Sequence, residues 1–319
     1  MKRNTPLISV GLTTYNRGAL LRVAIQKILA QTYKNIEIVI ADDGSTDNTQ
    51  SICKTFARKD KRIRYFRQKQ NVGMNKNYTF ALNKARGKYF IWAADDDKWK
   101  NNYLEALAAL LQTYPDAVVA ASSCRFYSKT KEFISTTEAE PFTRPHLSVR
   151  IFLPNEVLVL YGLTHRDALV KTGGYKSYPW PIPSGIGETV HMFRLLLQGG
   201  VAFTPRVLWE KEDTGHAMDP FSTLKYFPFS RDVLWRIRRY VVFPLLFFYE
   251  AAIMTHDVLR SSYNAQNKIH LLITVFTYYI FNSFYVFSNI VRGILTVILA
   301  PLSLLRRNNR IKIEDTAKS

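Results

Sequence analysis

The sequence predicts an α/β protein built on a central, mostly parallel sheet, with apolar helices appended at the C-terminal end. Three observations lead there. The first hundred residues alternate short β-branched apolar runs with segments of helical spacing, the pattern of parallel strands joined by crossover helices. The chain has 319 residues, 47% of them hydrophobic and 22% charged, which suffices for a sizeable core and is too polar for a multi-span membrane protein. From about Pro220 the alternation stops, and aromatics and long aliphatics dominate. The expected organisation is an α/β domain over residues 1–219 and a helical region over residues 220–319.

Leu7 to Leu12 reads as the first strand, and Ala19 to Gln31 follows with Leu20, Leu21, Ala24, Ile25, Ile28 and Leu29 at helical spacing. Ile36 to Ala41 is a second buried strand, and Ser51 to Asp60 a helix preceded by polar capping residues. Ile63 to Phe66, Lys76 to Ala85 and Tyr89 to Ala93 continue as strand, helix and strand. A helix is expected at Tyr103 to Thr113 and a strand at Ala117 to Ser122. Loop and short strands over a substrate site are expected between Phe126 and Pro154, and a helix at Thr189 to Gln198. Parallel sheets bind ligands beyond the carboxyl ends of their strands, so the residues just after each strand carry the functional signal.

Lys and Arg number 44 against 25 Asp and Glu, a net charge of +19. That excess suits nucleic acid, an anionic membrane surface or a phosphorylated substrate, and it is spread along the chain rather than gathered in a tail. The run Arg58-Lys59-Asp60-Lys61-Arg62-Ile63-Arg64, with Arg67 and Lys69, reads either as a solvated flank or as a patch for anionic headgroups. Cys53 and Cys124 cannot supply a four-cysteine zinc site and fit a reducing compartment. The N-terminus enters the first strand without a signal-peptide core, which predicts that this part stays in the cytoplasm.

Thr13-Thr14-Tyr15-Asn16-Arg17 follows the first strand, and Asp42-Asp43-Gly44-Ser45-Thr46-Asp47-Asn48-Thr49 follows the second. A carboxylate there can accept from the N–H of a nucleobase; the alternative is a turn and helix cap. The fourth strand runs straight into Asp95-Asp96-Asp97-Lys98-Trp99. Three adjacent carboxylates after a buried strand repel one another unless a cation neutralises them, and oxygen ligands suit Mg²⁺ or Mn²⁺ bridging to phosphates. A solvated acidic loop is the other reading.

In order, these residues resemble the family 2 inverting glycosyltransferases of the GT-A fold. The resemblance rests on Thr14-Tyr15-Asn16-Arg17, Asp42 to Asp47, Asn71-Val72-Gly73 with Asn77, Ala85 to Tyr89, and the aspartate cluster; it covers residues 5 to about 215. It implies that Asp42 or Asp43 contacts the base and that Tyr15 lies near the nucleotide. Thr14, Asn16, Arg17, Asn71, Gly73 and Asn77 complete the donor site it implies, with Asp95, Asp96 and Asp97 holding the metal on the diphosphate. Anchoring on Trp99 selects Asp96 and Asp97, whereas the Asp-any-Asp pattern selects Asp95 and Asp97.

Inverting transfer needs a carboxylate that takes the proton of the attacking hydroxyl. By resemblance, counting back six from Arg194 places it at Glu188; a helix-dipole partner is the alternative. Trp180 offers a stacking face to an acceptor sugar or packs among the prolines around it. His216 lies where some relatives place a histidine near the diphosphate or metal; an ordinary loop histidine is the alternative. Leu271 to Val291 carries no charge over 21 residues but is flanked by cations on both sides. Interfacial helices on the cytoplasmic leaflet, peripheral or monotopic, or a re-entrant hairpin are therefore expected, with a transmembrane span and a soluble helical pair as alternatives. The expected substrates are a nucleoside-diphosphate sugar, most simply UDP-linked, and a saccharide or lipid-linked acceptor of surface polysaccharide or glycolipid synthesis. A nucleotidyltransferase would need a Gly-rich loop before the first helix, and no nucleic-acid-binding motif accompanies the charge, so no nucleic-acid partner is expected.

Overall fold

The computed structural model describes residues 5–127, 132–135, 140–143, 156–174, 184–212 and 243–276. Its first half is three strand–helix units: β1 (Ile8–Thr14), α1 (Gly18–Leu29), β2 (Ile36–Asp42), α2 (Thr49–Lys59), β3 (Ile63–Arg67), α3 (Met74–Lys84), and then β4 (Tyr89–Ala93). These four strands are parallel, in the order β3-β2-β1-β4. Helices cover both faces, so β2 is buried at every position and reads as a nearly continuous apolar run. Thr14 pairs with Asp42, so β1 and β2 end flush. Leu12 pairs with Ala93, so the residues after β4 leave the sheet beside Thr13 and Thr14.

The second half adds β5 (Asp97–Trp99), α4 (Tyr103–Thr113), β6 (Ala117–Tyr127), β7 (Glu132–Ser135), β8 (Phe142–Thr143), α5 (Glu156–Leu160), β9 (Leu163–His165), α6 (Arg166–Lys171), α7 (Ser184–Leu196) and β10 (Gly200–Glu212). The sheet continues from β4 as β9-β6-β10-β5, with β7 on β6 and β8 on β10. β9 enters antiparallel between β4 and β6, while β6 and β10 run parallel to each other. The thirteen-residue β10 is a strand the sequence pattern did not announce. Pro205 interrupts its periodicity, and the register slips between Thr204 and Val207, where the missing N–H is accommodated. α7 begins at Ser184, five residues before the expected helix.

Beyond the α/β part, α8 (Phe243–Arg260) lies against α7, and α9 (residues 265–276) follows it. Met254, Val258, Leu271 and Val275 belong to the same buried apolar cluster as Phe193 and Leu196. Arg194 Nε donates to Asp257 Oδ2 at 2.7 Å, and the Tyr263 hydroxyl donates to Leu197 O at 2.7 Å. No helix of the described residues is long and apolar enough to cross a membrane.

Cys53 and Cys124 are free and buried. Burial, with Asp42 and Asp47 nearby, pushes the Cys53 thiol up to about 12, and burial beside Asp97 pushes Cys124 upward as well. The basic run at residues 58–69 is only partly a surface patch. Arg62 pairs with Asp60, Arg64 with buried Glu37, and Arg67 donates to Ser45 O, which leaves Arg58, Lys59, Lys61 and Lys69 outermost.

His191 on α7 is buried, with Nδ1 2.7 Å from the Thr172 hydroxyl. Thr172 donates its one proton to Leu169 O, so Nδ1 of the neutral ring is the donor. Burial, with Arg194 nearby, lowers the His191 pKa to about 4. The folded value lies below the unfolded one, so the neutral ring's contribution is complete above pH 6.5 and is lost as the pH falls toward 4, a difference of about 3 kcal/mol. We expect the melting temperature to drop less between pH 6.5 and 4.5 in His191→Asn than in the parent; equal drops by calorimetry would contradict this.

Candidate active site

Three loops meet at the carboxyl ends of β1, β2 and β4. After β1 the chain turns through Asn16, the one non-glycine residue among those described with a positive φ, 54°. Asn16 N–H donates to Ser45 Oγ at 2.9 Å, and Asn16 Oδ1 accepts from Thr46 N–H at 2.7 Å. Asp47 Oδ2 accepts from Gly18 N–H at 3.2 Å, at the first residue of α1. The loop after β1 is thereby tied to the loop after β2 by polar groups of both.

Asp42 and Asp43 are adjacent and face different tasks. Asp42 is wholly buried; its carboxylate accepts from Ser45 N–H at 2.8 Å and the Tyr65 hydroxyl at 2.6 Å, with Arg67 3.7 Å away. It shapes the turn from behind. Asp43 accepts from Val72 N–H at 2.8 Å and Gly73 N–H at 3.1 Å, drawing the Asn71–Gly73 loop over the end of the sheet. Gly44, at φ 77°, is required there: a Cβ would stand 2.8 Å from the Gln70 carbonyl carbon. Asn77 Nδ2 donates to Ala41 O at 2.8 Å, which anchors α3 to β2.

The three aspartates are held differently. Asp97 begins β5, accepts from Ala94 N–H at 3.0 Å and lies 3.2 Å from Lys211 Nζ of β10, which reaches it because β5 pairs with β10. Asp96 is partly exposed between Lys211 at 3.7 Å and Arg17 at 3.4 Å. Asp95 is buried 3.1 Å from Arg17, and its Oδ2 has no hydrogen-bond partner. Burial pushes Asp95 up to about 6 against the pull of Arg17, with Asp96 and Asp97 pushing further; Asp97 also stands at about 6, raised by burial against the pull of Lys211.

Thr13, Thr14, Tyr15, Arg17, Asp43, Asn71, Met74, Asn77, Tyr78, Ala94 and Asp95 line one cavity of about 310 Å³. Seven sequence candidates converge on it. Asn16, Asp42 and Gly73 support its walls, and Asp96 and Asp97 flank it through the acidic turn. Thr14 Oγ1, Asn77 Oδ1 and Asp95 Oδ2, all from lining residues, are buried and without partners. Buried polar atoms left open in this way are ready for a polar ligand. A larger cavity of about 690 Å³, lined by Asp116, His165, Asp167 and Lys171 among others, lies at the amino ends of β6 and β10, away from all the candidates.

Among the described residues, no three His, Cys, Asp or Glu side chains gather into a ready-made metal site, and Arg17 and Lys211 engage the acidic turn. A Mg²⁺ entering with phosphates takes only one or two protein carboxylates, and the open Asp95 Oδ2 beside the cavity fits that need. Glu188 is the fifth residue of α7. Trp180 and His216 lie outside the described residues. Lys211 was not among the sequence candidates. The strand-like run Val207 to Lys211 is the only local signal for it, and its target lies 114 residues away in the chain.

A sheet of this order with an acidic turn after its fourth strand is the GT-A architecture of nucleotide-diphospho-sugar transferases. Residues 9–167 match the model of Glycosyl transferase family 2, and the chain belongs to that family. Glycosyltransferase GlyG of Streptococcus pneumoniae is 33% identical over 144 residues, 45% of this chain and 48% of that protein. The GalNAc(5)-diNAcBac-PP-undecaprenol beta-1,3-glucosyltransferase of Campylobacter jejuni is 37% identical over 103 residues, 32% and 33% of the two chains. The chain thus spans half or less of the length of these curated relatives. S. aureus TarS 1-349 in complex with UDP-GlcNAc shares the fold with a TM-score of 0.62 at 17% identity, covering 83% of this chain and 70% of that one.

Asp42 and Asp96 should separate support from surface. We expect Asp42→Ala to lower the unfolding free energy by about 2 kcal/mol, since it removes the buried acceptor of Ser45 N–H and the half-buried Tyr65 hydroxyl, and Asp96→Ala by less than about 1 kcal/mol. Urea titrations followed by circular dichroism measure both.

Proposed function

We propose that this chain is a metal-dependent, inverting glycosyltransferase that takes a sugar from a nucleoside-diphosphate donor, UDP-linked, to a hydroxyl of a saccharide or lipid-linked acceptor in surface polysaccharide or glycolipid synthesis. The observation that carries the reading is the cavity at the ends of β1, β2 and β4, where Asp43, Asn71 and Asn77 face Asp95 across a space bordered by Arg17. Base and ribose lie toward Asp43 and the Asn71–Gly73 loop, with Tyr15 against the nucleotide. The diphosphate lies toward Asp95, Asp96 and Arg17. Asp95 with Asp96 would hold Mg²⁺ or Mn²⁺, which would supply charge neutralisation to the departing diphosphate. Asp97, turned inward to Ala94 and Lys211, fixes the turn that presents those two carboxylates. The UDP-GlcNAc complex of a structural neighbour and the undecaprenol-linked substrate in a relative's name support the donor and acceptor classes.

Glu188 takes the proton from the acceptor hydroxyl as that oxygen attacks the anomeric carbon from the face opposite the leaving diphosphate, which inverts the configuration. Its helix, α7, is braced by His191 against Thr172 and by Arg194 against Asp257. Trp180 would offer its stacking face to the acceptor sugar, and His216 would serve on the metal side of the site. With residues 1–219 as catalyst, residues 220–319 attach it to the cytoplasmic face of the membrane. α9 supports that attachment: Leu271 and Val275 face the core while Ile269 and Phe276 are exposed, Phe276 by 63%. A helix apolar on both sides needs a second apolar neighbour, and the chain from 258 to 313 has seven Lys and Arg and no Asp or Glu, which suits anionic headgroups.

Glu188→Gln should reduce transfer from a UDP-sugar by about 10²- to 10⁴-fold while leaving the donor's dissociation constant within about threefold. Retained turnover would remove Glu188 from the mechanism, and loss of donor binding would assign it to the donor side. For the tail, we expect co-sedimentation with vesicles containing phosphatidylglycerol, reduced by Ile269→Ser with Phe276→Ser and absent with phosphatidylcholine alone. Undiminished binding by the double variant would locate the contact elsewhere.

A further inference from the structure

Three carboxylates and two cations make up the acidic turn, and the two cations are held in different ways. Lys211 reaches in from the strand β10; its ammonium donates to Asp97 Oδ1 at 3.2 Å, lies 3.3 Å from the Tyr161 hydroxyl and sits 4.7 Å from that ring's centroid. Asp97 is fixed further by Ala94 N–H. Arg17 comes from the loop before α1, its side chain 41% exposed on the cavity wall. Its contacts are Asp95 at 3.1 Å and Asp96 at 3.4 Å, so its guanidinium stands where a cation shared by these two carboxylates would stand. Among the described residues, no further hydrogen bond or ion pair holds its side chain there.

We infer that Arg17 is an exchangeable counter-ion: without donor it occupies the cation position between Asp95 and Asp96, and it gives up that position to the metal by moving onto the donor's diphosphate. This rests on the reading above that the turn receives a divalent cation with the donor. The electrostatics favour a joint exchange. A dication entering alone meets a guanidinium already neutralising its ligands, and the displaced Arg17 gains nothing in return. When a diphosphate enters as well, its oxygens offer the guanidinium a planar, bidentate partner within reach of the same wall. Metal and nucleotide then each strengthen the other's binding, and by linkage the factor is the same in both directions. Lys211, packed and bonded, stays behind to keep the turn in shape.

The experiment measures Mn²⁺ binding to the full chain by the electron paramagnetic resonance signal of free Mn²⁺, with and without saturating UDP, in the parent, Arg17→Gln and Arg17→Lys. In the parent, UDP should tighten Mn²⁺ binding by about tenfold or more, within the usual range of coupling between sites. In Arg17→Gln, Mn²⁺ alone should bind about 3- to 10-fold more tightly than to the parent, because no cation competes, while the effect of UDP shrinks to the direct metal–phosphate contact. Arg17→Lys, which keeps the charge and loses the planar fork, should retain only part of the parent's coupling. Because Arg17 is half-exposed, melting temperatures should stay within a few degrees of one another. Unchanged or weaker binding of Mn²⁺ alone to Arg17→Gln, with the parent still taking up Mn²⁺ in the presence of UDP, overturns the exchange and leaves the metal reading standing. A parent that takes up no Mn²⁺ even with UDP overturns both.

Discussion

Carboxylates on three consecutive residues at the end of a buried strand cannot all remain ionised unless cations are brought to them, and much of the second half of the chain is arranged around that demand. The local sequence offers Lys98, but its side chain points out of the alternating strand β5. The compensation comes from far away. Arg17 arrives from the end of β1, and Lys211 from β10, whose antiparallel pairing with β5 places Lys211 opposite Asp97. β10 is in turn registered by β6, along which it runs for nearly its whole length. Removing that pairing would leave the acidic turn without its deeper cation, so the sheet's far edge and the cavity's chemistry are one problem.

The same logic of remote support applies on the nucleotide side. Asp42 and Asp43 are neighbours at the end of β2, yet the pleat sends one inward and the other toward the cavity. Asp42 spends its lone pairs on Ser45 N–H and Tyr65, fixing the turn that Asn16 then grips from the first loop. Asp43 fixes the loop before α3. The two walls of the cavity are therefore set by hydrogen bonds made behind it, and Thr14, Asn77 and Asp95 are free to leave polar atoms open toward it.

Much of this was legible in the sequence because the first half is built from local signals. Short β-branched runs and helical spacing locate β1 to β4 and α1 to α4 within a few residues, and Tyr103 to Thr113 matches its helix at both ends. The residues gathered at the cavity were readable because parallel strands all deliver their following loops to one edge. What escaped depends on contacts distant in the chain. β9 is three residues long and takes its place from β4 and β6 on either side, not from any pattern of its own. β10 is broken by Pro205, and Lys211 acquires meaning only once β10 is laid beside β5. Asp42 and Asp43 could not be told apart by type, since burial and partner alone distinguish them. The apolar tail was visible as composition, but that α8 and α9 share a core with α7 is a tertiary fact.

Cys53 and Cys124 give the molecule a pair of silent reporters. One lies on α2 behind the wall formed by Asp42 and Asp47, the other on β6 behind Asp97, and burial keeps both thiols protonated at neutral pH. Only the thiolate attacks disulfides or alkylating reagents, and only when it is reached by solvent. Modification of either sulfur therefore measures how often its side of the sheet opens, so two single-cysteine variants would time the breathing of the two cavity walls separately, without any label placed in the site itself.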